Sequence, residues 1–292
     1  MRALMRRRAL LAAVGAAALG AVAACSRTRT SAPDAGAPTR IVSLAPSTTE
    51  ALFAVGAGAL VVGRSTYGDW PPEARRLPAV GGVAPDLEAI LELRPDLVVG
   101  LSGVASQHLA DKLAARGIAS WFPRTESLAQ IDALLVGLGA RTGHAEQARR
   151  VVTDLDAREQ AITAATAAER RPRVLMVVGL GPVVAAGPAS FADEMIRRAG
   201  AENVLVDAAA WPVLGFERIV ELDPDVVIDA SAVETGGVTR ITPDAPGWSG
   251  LRAVREGHVI ALADQRVLRP GPRIAEGLAV LASALHPGAA IP

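Results

Sequence analysis

The fold of this chain is decided by the stretch Leu87-Glu-Ala-Ile-Leu-Glu-Leu-Arg-Pro-Asp-Leu-Val-Val99, which recurs as Phe216-Glu-Arg-Ile-Val-Glu-Leu-Asp-Pro-Asp-Val-Val-Ile228. The two copies are separated by a constant offset of 129 residues (216 − 87). Each copy predicts a short amphipathic helix, a Pro-Asp turn that ends it, and a buried strand. One copy would be an ordinary α/β building block, but two copies in register predict duplicated lobes.

Short apolar runs alternate with helical patterns on both sides of this repeat. Such alternation is typical of parallel sheets covered by helices. We therefore predict an α/β protein with two Rossmann-like lobes. The predicted strands are Ile41 to Leu44, Leu60 to Val62, Leu97 to Val99, Ile118 to Trp121, Val174 to Val178, Val204 to Val206, Val226 to Ile228 and Val259 to Leu262.

One long helix is predicted between the lobes, over residues 143–170, because this segment has no Gly or Pro after Gly143. It divides the chain into an N-terminal lobe (40–142) and a C-terminal lobe (171–292). A single helical connection predicts modest opening around a cleft. The motif Ser47-Thr-Thr-Glu50 predicts a capping box at the start of the first helix.

The N-terminus is typical of an export signal. Arginines at positions 2 and 6–8 precede an uncharged run, Ala9 to Ala24, which is too short for a transmembrane helix of about 20 residues. We predict a signal peptide over residues 1–24 and a flexible tether over residues 25–39. The arginine pair fits either a Sec or a twin-arginine signal.

Cys25 is the only cysteine. Val22-Ala-Ala-Cys25 is similar to a bacterial lipobox, in which acyl chains such as palmitate are attached to the cysteine. This predicts an exported protein, lipid-anchored to the membrane on its periplasmic side; a free thiol is the alternative. A lone cysteine also excludes an internal disulfide, so stability has to come from an apolar core.

The charge balance excludes nucleic acid as a partner. The whole chain carries 30 basic and 30 acidic residues, and the predicted signal peptide removes four of the basic ones. The exported chain then has a net charge of −4, which is unsuited to binding phosphate backbones.

Aromatic residues are scarce, so their positions are informative. Tyr67 and Trp70 lie in a Gly/Pro-bearing loop after a predicted strand, and Trp211 lies in the loop before the second repeat helix. Ligands of open α/β sheets bind where strands end and loops begin, so these side chains are predicted to face an interlobe cleft. Local packing against neighbouring proline rings is the alternative.

A second candidate segment runs from Asp264 to Arg273, after the last predicted strand. It holds three arginines, Arg266, Arg269 and Arg273, which could bind amides, a carboxylate or a phosphate. Alternatively, Arg273 has a structural role, either capping a helix or pairing with Glu276.

Signals for catalysis are weak. The four histidines lack the spacing of a zinc site and are predicted to lie on the surface. Gly179-Leu-Gly181-Pro182 lacks the third glycine of a dinucleotide fingerprint. Glu88 and Glu217 occupy equivalent places in the two repeats, which favours a symmetric role over an acid/base couple. The histidines are His108, His144, His258 and His286.

Several motifs together resemble the iron-siderophore, heme and cobalamin periplasmic binding proteins. They are the segment Arg40 to Glu50, the Tyr67 to Pro72 loop, Leu87-Glu88 with Arg94-Pro95-Asp96, and Trp211-Pro212 followed by Glu217. The resemblance extends to about residue 286 and is greatest to the cobalamin-binding members. It implies a non-enzymatic substrate-binding protein of class III, a monomer that serves an ABC importer.

The resemblance also implies roles for individual residues. Tyr67 and Trp211 would be aromatic walls against a corrin ring. Glu88 and Glu217 would dock into arginine pockets of the permease dimer, which works with ATPase subunits. The loop contacting the ligand would be Gln265, Arg266, Val267, Leu268 and Arg269.

The chain departs from the cobalamin-binding members at two places. Gly82 is the repeat counterpart of Trp211, where those members have a second tryptophan, and the 265–269 loop lacks their aromatic and acidic residues. Cobalamin is the first expected ligand, as cargo rather than an intrinsic cofactor. Heme, for which Tyr67 could supply an axial ligand, is the second, and a ferric siderophore is the third. A tetrapyrrole- or metal-handling enzyme on the same fold is the alternative from another class.

Overall fold

The computed structural model describes residues 36–292, apart from the side chains of Val104, Ala105 and Glu234. It is an α/β fold with two sheets, which are connected by one long helix. The predicted fold class is therefore confirmed. The predicted signal peptide, Cys25 and most of the predicted tether lie outside the described residues.

The first sheet has four parallel strands in the order β2-β1-β3-β4. Its central strands are buried on both faces, because Val42 and Val98 pack on one side while Ile41 and Val99 pack on the other. This explains their continuous β-branched sequences. The elements are β1 (Ile41–Ser43), α1 (Pro46–Ala54), β2 (Val61–Arg64), α2 (Leu87–Glu92), β3 (Leu97–Val99), α3 (Val104–Ala114), β4 (Ala119–Trp121) and α4 (Leu128–Thr142).

The second sheet follows the order β6-β5-β8-β9, with β7 also paired to β5. Its strands are parallel except β6, which runs antiparallel to β5. The elements are β5 (Arg173–Leu180), β6 (Val183–Ala185), α6 (Phe191–Arg198), β7 (Glu202–Asn203), α7 (Phe216–Leu222), β8 (Val226–Asp229), α8 (Arg252–Arg255), β9 (Val259–Ala261) and α9 (Ile274–Leu285).

The long helix between the sheets is α5 (Ala145–Ala165), shorter at both ends than predicted. Gly143, at φ 78°, ends α4 in the left-handed conformation and so separates the two helices. One apolar core runs through Ile41, Leu135, Leu155 and Met176, and so includes side chains of both sheets, α4 and α5. No helix within residues 36–292 combines the length and the apolar character needed to cross a membrane.

Equivalent hydrogen bonds hold the C-terminal end of the repeat helix in both lobes. The Arg40 guanidinium donates to the carbonyl of Leu93, the C-cap residue of α2, at 2.7 Å, and Arg173 donates to that of Leu222, the last residue of α7, at 2.8 Å. In each lobe the Asp of the Pro-Asp turn accepts the backbone N–H of that arginine. The duplication therefore extends from the sequence pattern to the hydrogen bonds that cap each helix.

Three local expectations were wrong. Ser47 caps nothing, because Pro46 already lies in the first turn and Ala45 occupies the N-cap. The strand predicted at Val204 to Val206 is absent, since β7 ends at Asn203. His286 is buried, not on the surface, and its ring nitrogen lies 2.9 Å from the carbonyl oxygen of Ala199.

Carboxylates gather where α4, α5 and α6 meet. Glu159 is buried and accepts a hydrogen bond from Arg198 at 2.5 Å. Burial raises the pKa of Glu159 to about 7, since the charges of Asp132, Asp156 and Glu194 oppose the attraction of Arg198. Burial, with the charge of Asp156, also raises the pKa of Asp132 to about 6.

These raised pKa values predict that the protein is more stable at pH 5.5 than at pH 7.5. The folded carboxyls bind protons more tightly than the unfolded ones, so their contribution is present below the unfolded pKa of about 4 and is lost as the pH rises through about 6 to 7. We expect the free energy of unfolding, measured with urea, to fall by about 2 kcal/mol between these pH values.

Glu159→Gln should remove most of that pH dependence. Glu146→Gln is the matched control, because Glu146 forms an exposed ion pair with Arg150 on the same helix. A parent protein whose unfolding free energy rises over this range would contradict the assignment.

Candidate functional site

The carboxyl ends of the first sheet open into a cavity of about 470 Å³. Loops that follow β1, β3 and β4 form its walls, together with the segment before α2. The lining is largely apolar, with one lysine and one histidine. It includes Leu44, Gly82, Val83, Leu87, Leu101, His108, Leu109, Lys112 and Phe122.

Tyr67 projects from the loop that follows β2 and is 58% exposed. Arg64, the last residue of β2, organises this loop. Its guanidinium donates to the carbonyls of Ser65 at 2.8 Å and Thr66 at 3.0 Å, and to Ala74 at 2.9 Å. The loop is therefore tied at both ends while the Tyr67 ring stays accessible.

Gly82 lies directly under the ring of Tyr67. A Cβ atom at this position would come within 3.0 Å of the Tyr67 Cε2 atom, closer than ordinary van der Waals contact. Hence Tyr67 covers the place where the repeat counterpart of Trp211 would project. This face of the N-terminal lobe therefore carries one aromatic side chain, Tyr67, where the cobalamin-binding members also have a tryptophan at the position of Gly82.

Trp211 lies in the C-terminal lobe and is 37% exposed. Its ring meets the buried ring of Phe191 edge to face, with centroids 5.7 Å apart. The loop is attached to β6 through hydrogen bonds from Ala185 N–H to the Pro212 carbonyl and from Leu214 N–H to the Val183 carbonyl. The Trp211 ring is thus held in a defined orientation with one part free.

The 265–269 segment presents few free groups. Residues Gln265–Leu268 form a 3₁₀ turn whose N-cap is Asp264. Val267 is 1% exposed, so a ligand could meet only its backbone, and Leu268 packs partly against the core. Gln265 is the exposed side chain of the turn.

The three arginines of this segment are paired with carboxylates. Arg266 binds Asp264 and Glu276, and the hydrogen bond that its guanidinium donates to the Asp264 carboxylate is the main cause of its raised pKa. Arg269 and Arg273 both bind Glu50. The expected partner of Arg273, Glu276, is therefore taken by Arg266.

Glu50 was missed as a candidate, because its sequence motif predicted a helix cap. It is 3% exposed, and its carboxylate faces the C-terminal lobe. No sequence signal indicated this role, because the absence of capping and the burial of Glu50 are both features of the tertiary structure.

Glu88 and Glu217 occupy the first turns of α2 and α7 and are exposed. The helix N-terminus stabilises a carboxylate at this place. In α2 the Asp86 side chain caps the helix by accepting the N–H groups of Glu88 and Ala89, which leaves the Glu88 carboxylate available. Within residues 36–292, neither glutamate side chain forms an ion pair.

A metal centre is not formed by the described part of the chain. No group of three His, Cys, Asp or Glu side chains within it is suitably placed to hold an ion.

Two α/β lobes, a long connecting helix and a cleft at the strand ends define a class III substrate-binding protein. The chain belongs to the periplasmic binding protein family, whose model matches residues 41–266. Proteins of this family are exported solute-binding proteins rather than enzymes.

Two relatives support this membership. An uncharacterized ABC transporter substrate-binding lipoprotein of Bacillus subtilis is 30% identical over 259 residues, covering 86% of this chain and 81% of the relative. The vitamin B12-binding protein of Salmonella typhimurium is 30% identical over 248 residues, covering 84% and 90%. The chain is thus a substrate-binding protein of an ABC transporter, of the vitamin B12, heme and siderophore group.

Solved structures of the same architecture bind different ligands. The vitamin B12-binding protein BtuF of Vibrio cholerae has a TM-score of 0.72 at 26% identity, covering 85% of this chain and 97% of that one. The heme-binding protein RhuT of Roseiflexus has a TM-score of 0.73 at 28% identity, covering 85% and 98%.

Proposed function

We propose that this protein captures a cobalamin-type corrinoid between its lobes and delivers it to an ABC permease dimer with its ATPase subunits. The observation that carries this proposal is the pair of accessible rings, Tyr67 on one lobe and Trp211 on the other. Each follows a strand, and each is held from behind, Tyr67 by its Arg64-tied loop and Trp211 by Phe191. Flat aromatic faces suit a large, partly apolar ring ligand.

The remaining roles follow from this arrangement. Gln265 would contact the polar edge of the ligand, and Arg266 and Arg269 would keep the turn in place. Glu88 and Glu217, one on each lobe, would dock on the two subunits of a two-fold permease. The corrinoid is transported cargo, and the protein needs no cofactor of its own.

The proposal extends to the membrane. Residues 1–24 would be removed on export, Cys25 would carry the lipid anchor, and residues 25–39 would hold the lobes 40–142 and 171–292 away from the bilayer. The protein would act as a monomer.

Heme is the second candidate, because the Tyr67 phenol is exposed and could bind iron. Titration of the purified protein with cyanocobalamin, hemin and a ferric siderophore by calorimetry tests the ligand. We expect a one-to-one complex with cyanocobalamin only.

A Tyr67→Phe variant separates the two candidates further. It keeps the aromatic face for a corrin but lacks the oxygen that would bind heme iron. Unchanged cyanocobalamin affinity supports the proposal. Heme would become the proposed ligand if the parent protein bound hemin but no corrinoid, and if the absorption spectrum of the hemin complex changed in Tyr67→Phe.

A further inference from the structure

Glu50 connects the two lobes. It lies on α1 in the N-terminal lobe, and its Oε1 atom accepts hydrogen bonds from Arg269 Nη1 at 2.6 Å and Arg273 Nη2 at 2.7 Å. Its Oε2 atom accepts a third, from Arg273 Nε at 2.8 Å. Both arginines lie in the segment between β9 and α9, more than 200 residues further along the chain. One carboxylate thus holds two guanidinium groups of the other lobe.

The same arginines also contact the loop that carries Tyr67. Arg269 lies 3.5 Å from the carboxylate of Asp69, and the Arg273 guanidinium lies over the ring of Trp70, 4.6 Å from its centroid. Arg269 donates a further hydrogen bond to the side chain of Gln265. The two arginines therefore join the Tyr67 loop to the 265–269 turn.

Charge and burial both favour this contact. Two carboxylates of the N-terminal lobe, Glu50 and Asp69, lie beside two guanidinium groups of the C-terminal lobe. The side chains of Arg269 and Arg273 are 13% and 21% exposed, and that of Glu50 is 2% exposed. Replacing one of these groups by an uncharged side chain would leave a guanidinium or carboxylate partner in a poorly solvated place while the lobes are in contact, which is unfavourable.

We propose that Glu50, Arg269 and Arg273 are positioning residues that form an interlobe latch. The latch sets the separation of the Tyr67 loop and the 265–269 turn, two of the segments proposed to lie against the ligand. The latch rests on the proposed function in one respect, namely that these segments are taken to contact the ligand. Arg269, which the sequence suggested as a ligand contact, would act through Glu50 and Asp69 instead.

The latch predicts a change in lobe separation when Glu50→Gln removes the shared charge. Spin labels at Ala115→Cys and Ser249→Cys, both exposed and on different lobes, report the distance in a chain that also carries Cys25→Ser. Without ligand, we expect one narrow distance distribution for the parent and a broader, longer one for Glu50→Gln. Dissociation of bound cyanocobalamin should become about tenfold faster in the same variant.

Asp193→Asn is the matched control, because Asp193 is another buried carboxylate bound to an arginine, Arg197 at 2.6 Å, and both residues lie on α6 within one lobe. This control should leave the interlobe distance unchanged. A general loss of rigidity would instead broaden the distance distributions of both variants. A Glu50→Gln distribution identical to that of the parent would overturn the latch.

If Glu50→Gln does not fold, Asp69→Asn with Trp70→Ala takes its place, since both side chains are partly exposed and both contact the latch. Broadening supports the latch, and an unchanged distance overturns it. Because the distances are measured without ligand, failure to bind corrinoids would count against the proposed function alone.

Discussion

Replacing Glu88 and Glu217 together by alanine is expected to abolish uptake of the ligand while its affinity for the isolated protein stays within about twofold. Both carboxylates are exposed in the first turns of equivalent helices, one on each lobe. Loss of a desolvated charge pair at an interface costs about 2 kcal/mol or more, so two such losses should weaken docking about 1,000-fold.

The measurement compares uptake of labelled cobalamin, in cells that supply the cognate permease, with calorimetric affinity of the same variant. Glu92→Ala with Glu221→Ala is the matched control. These glutamates occupy the same two helices, again 129 residues apart (221 − 92), but near the C-terminal ends. Normal uptake is expected for the control.

The single variants should each reduce uptake, because each glutamate serves one permease subunit. A double variant that lost ligand affinity instead of uptake would show that these residues belong to the cleft and that the docking assignment is wrong.

Replacing Trp211 by alanine is expected to weaken corrinoid binding about 30-fold. An accessible aromatic side chain that is already held in its bound orientation can contribute about 2 kcal/mol to an interface, since little conformational freedom is lost on binding. The contact with Phe191 supplies that orientation. Trp211→Phe should recover most of the affinity by restoring a ring at this position.

Val213→Ala is the control for this variant, because Val213 is exposed on the same loop and truncation there leaves the backbone pairing with Val184 in place. Its affinity should match that of the parent. Equal losses in Trp211→Ala and Val213→Ala would mean that loop disorder, not the aromatic face, weakens binding. Thermal unfolding of both variants identifies any general loss of stability.

The sequence predicted the two lobes because the features that specify their helices and strands lie within a few consecutive residues. The Pro-Asp turn and the alternating apolar residues are repeated in both copies, and each lobe shows the corresponding helix and strand. Element ends were less predictable. The connecting helix stops at Ala165, although the sequence up to Arg170 favours a helix.

The candidate site was predicted in part. Exposed Tyr67 and Trp211 lie in loops, as their Gly/Pro-rich surroundings indicated. The covering of Gly82 by the Tyr67 ring was not predictable, since it depends on how two loops approach each other. The arginines of the 265–269 segment looked available for a ligand because their partners are distant in sequence.

By itself, the sequence determined the duplicated α/β plan, the family and the positions of the accessible aromatic residues, because periodicity and turn chemistry act over a few residues. Only the tertiary structure decided that Glu50 binds arginines across the lobes instead of capping its helix. It also decided that the buried Glu159 lies near three other carboxylates. The interactions of a charged side chain depend on the groups that tertiary packing places within a few ångströms of it. A local sequence pattern contains no information about a neighbour more than 200 residues away.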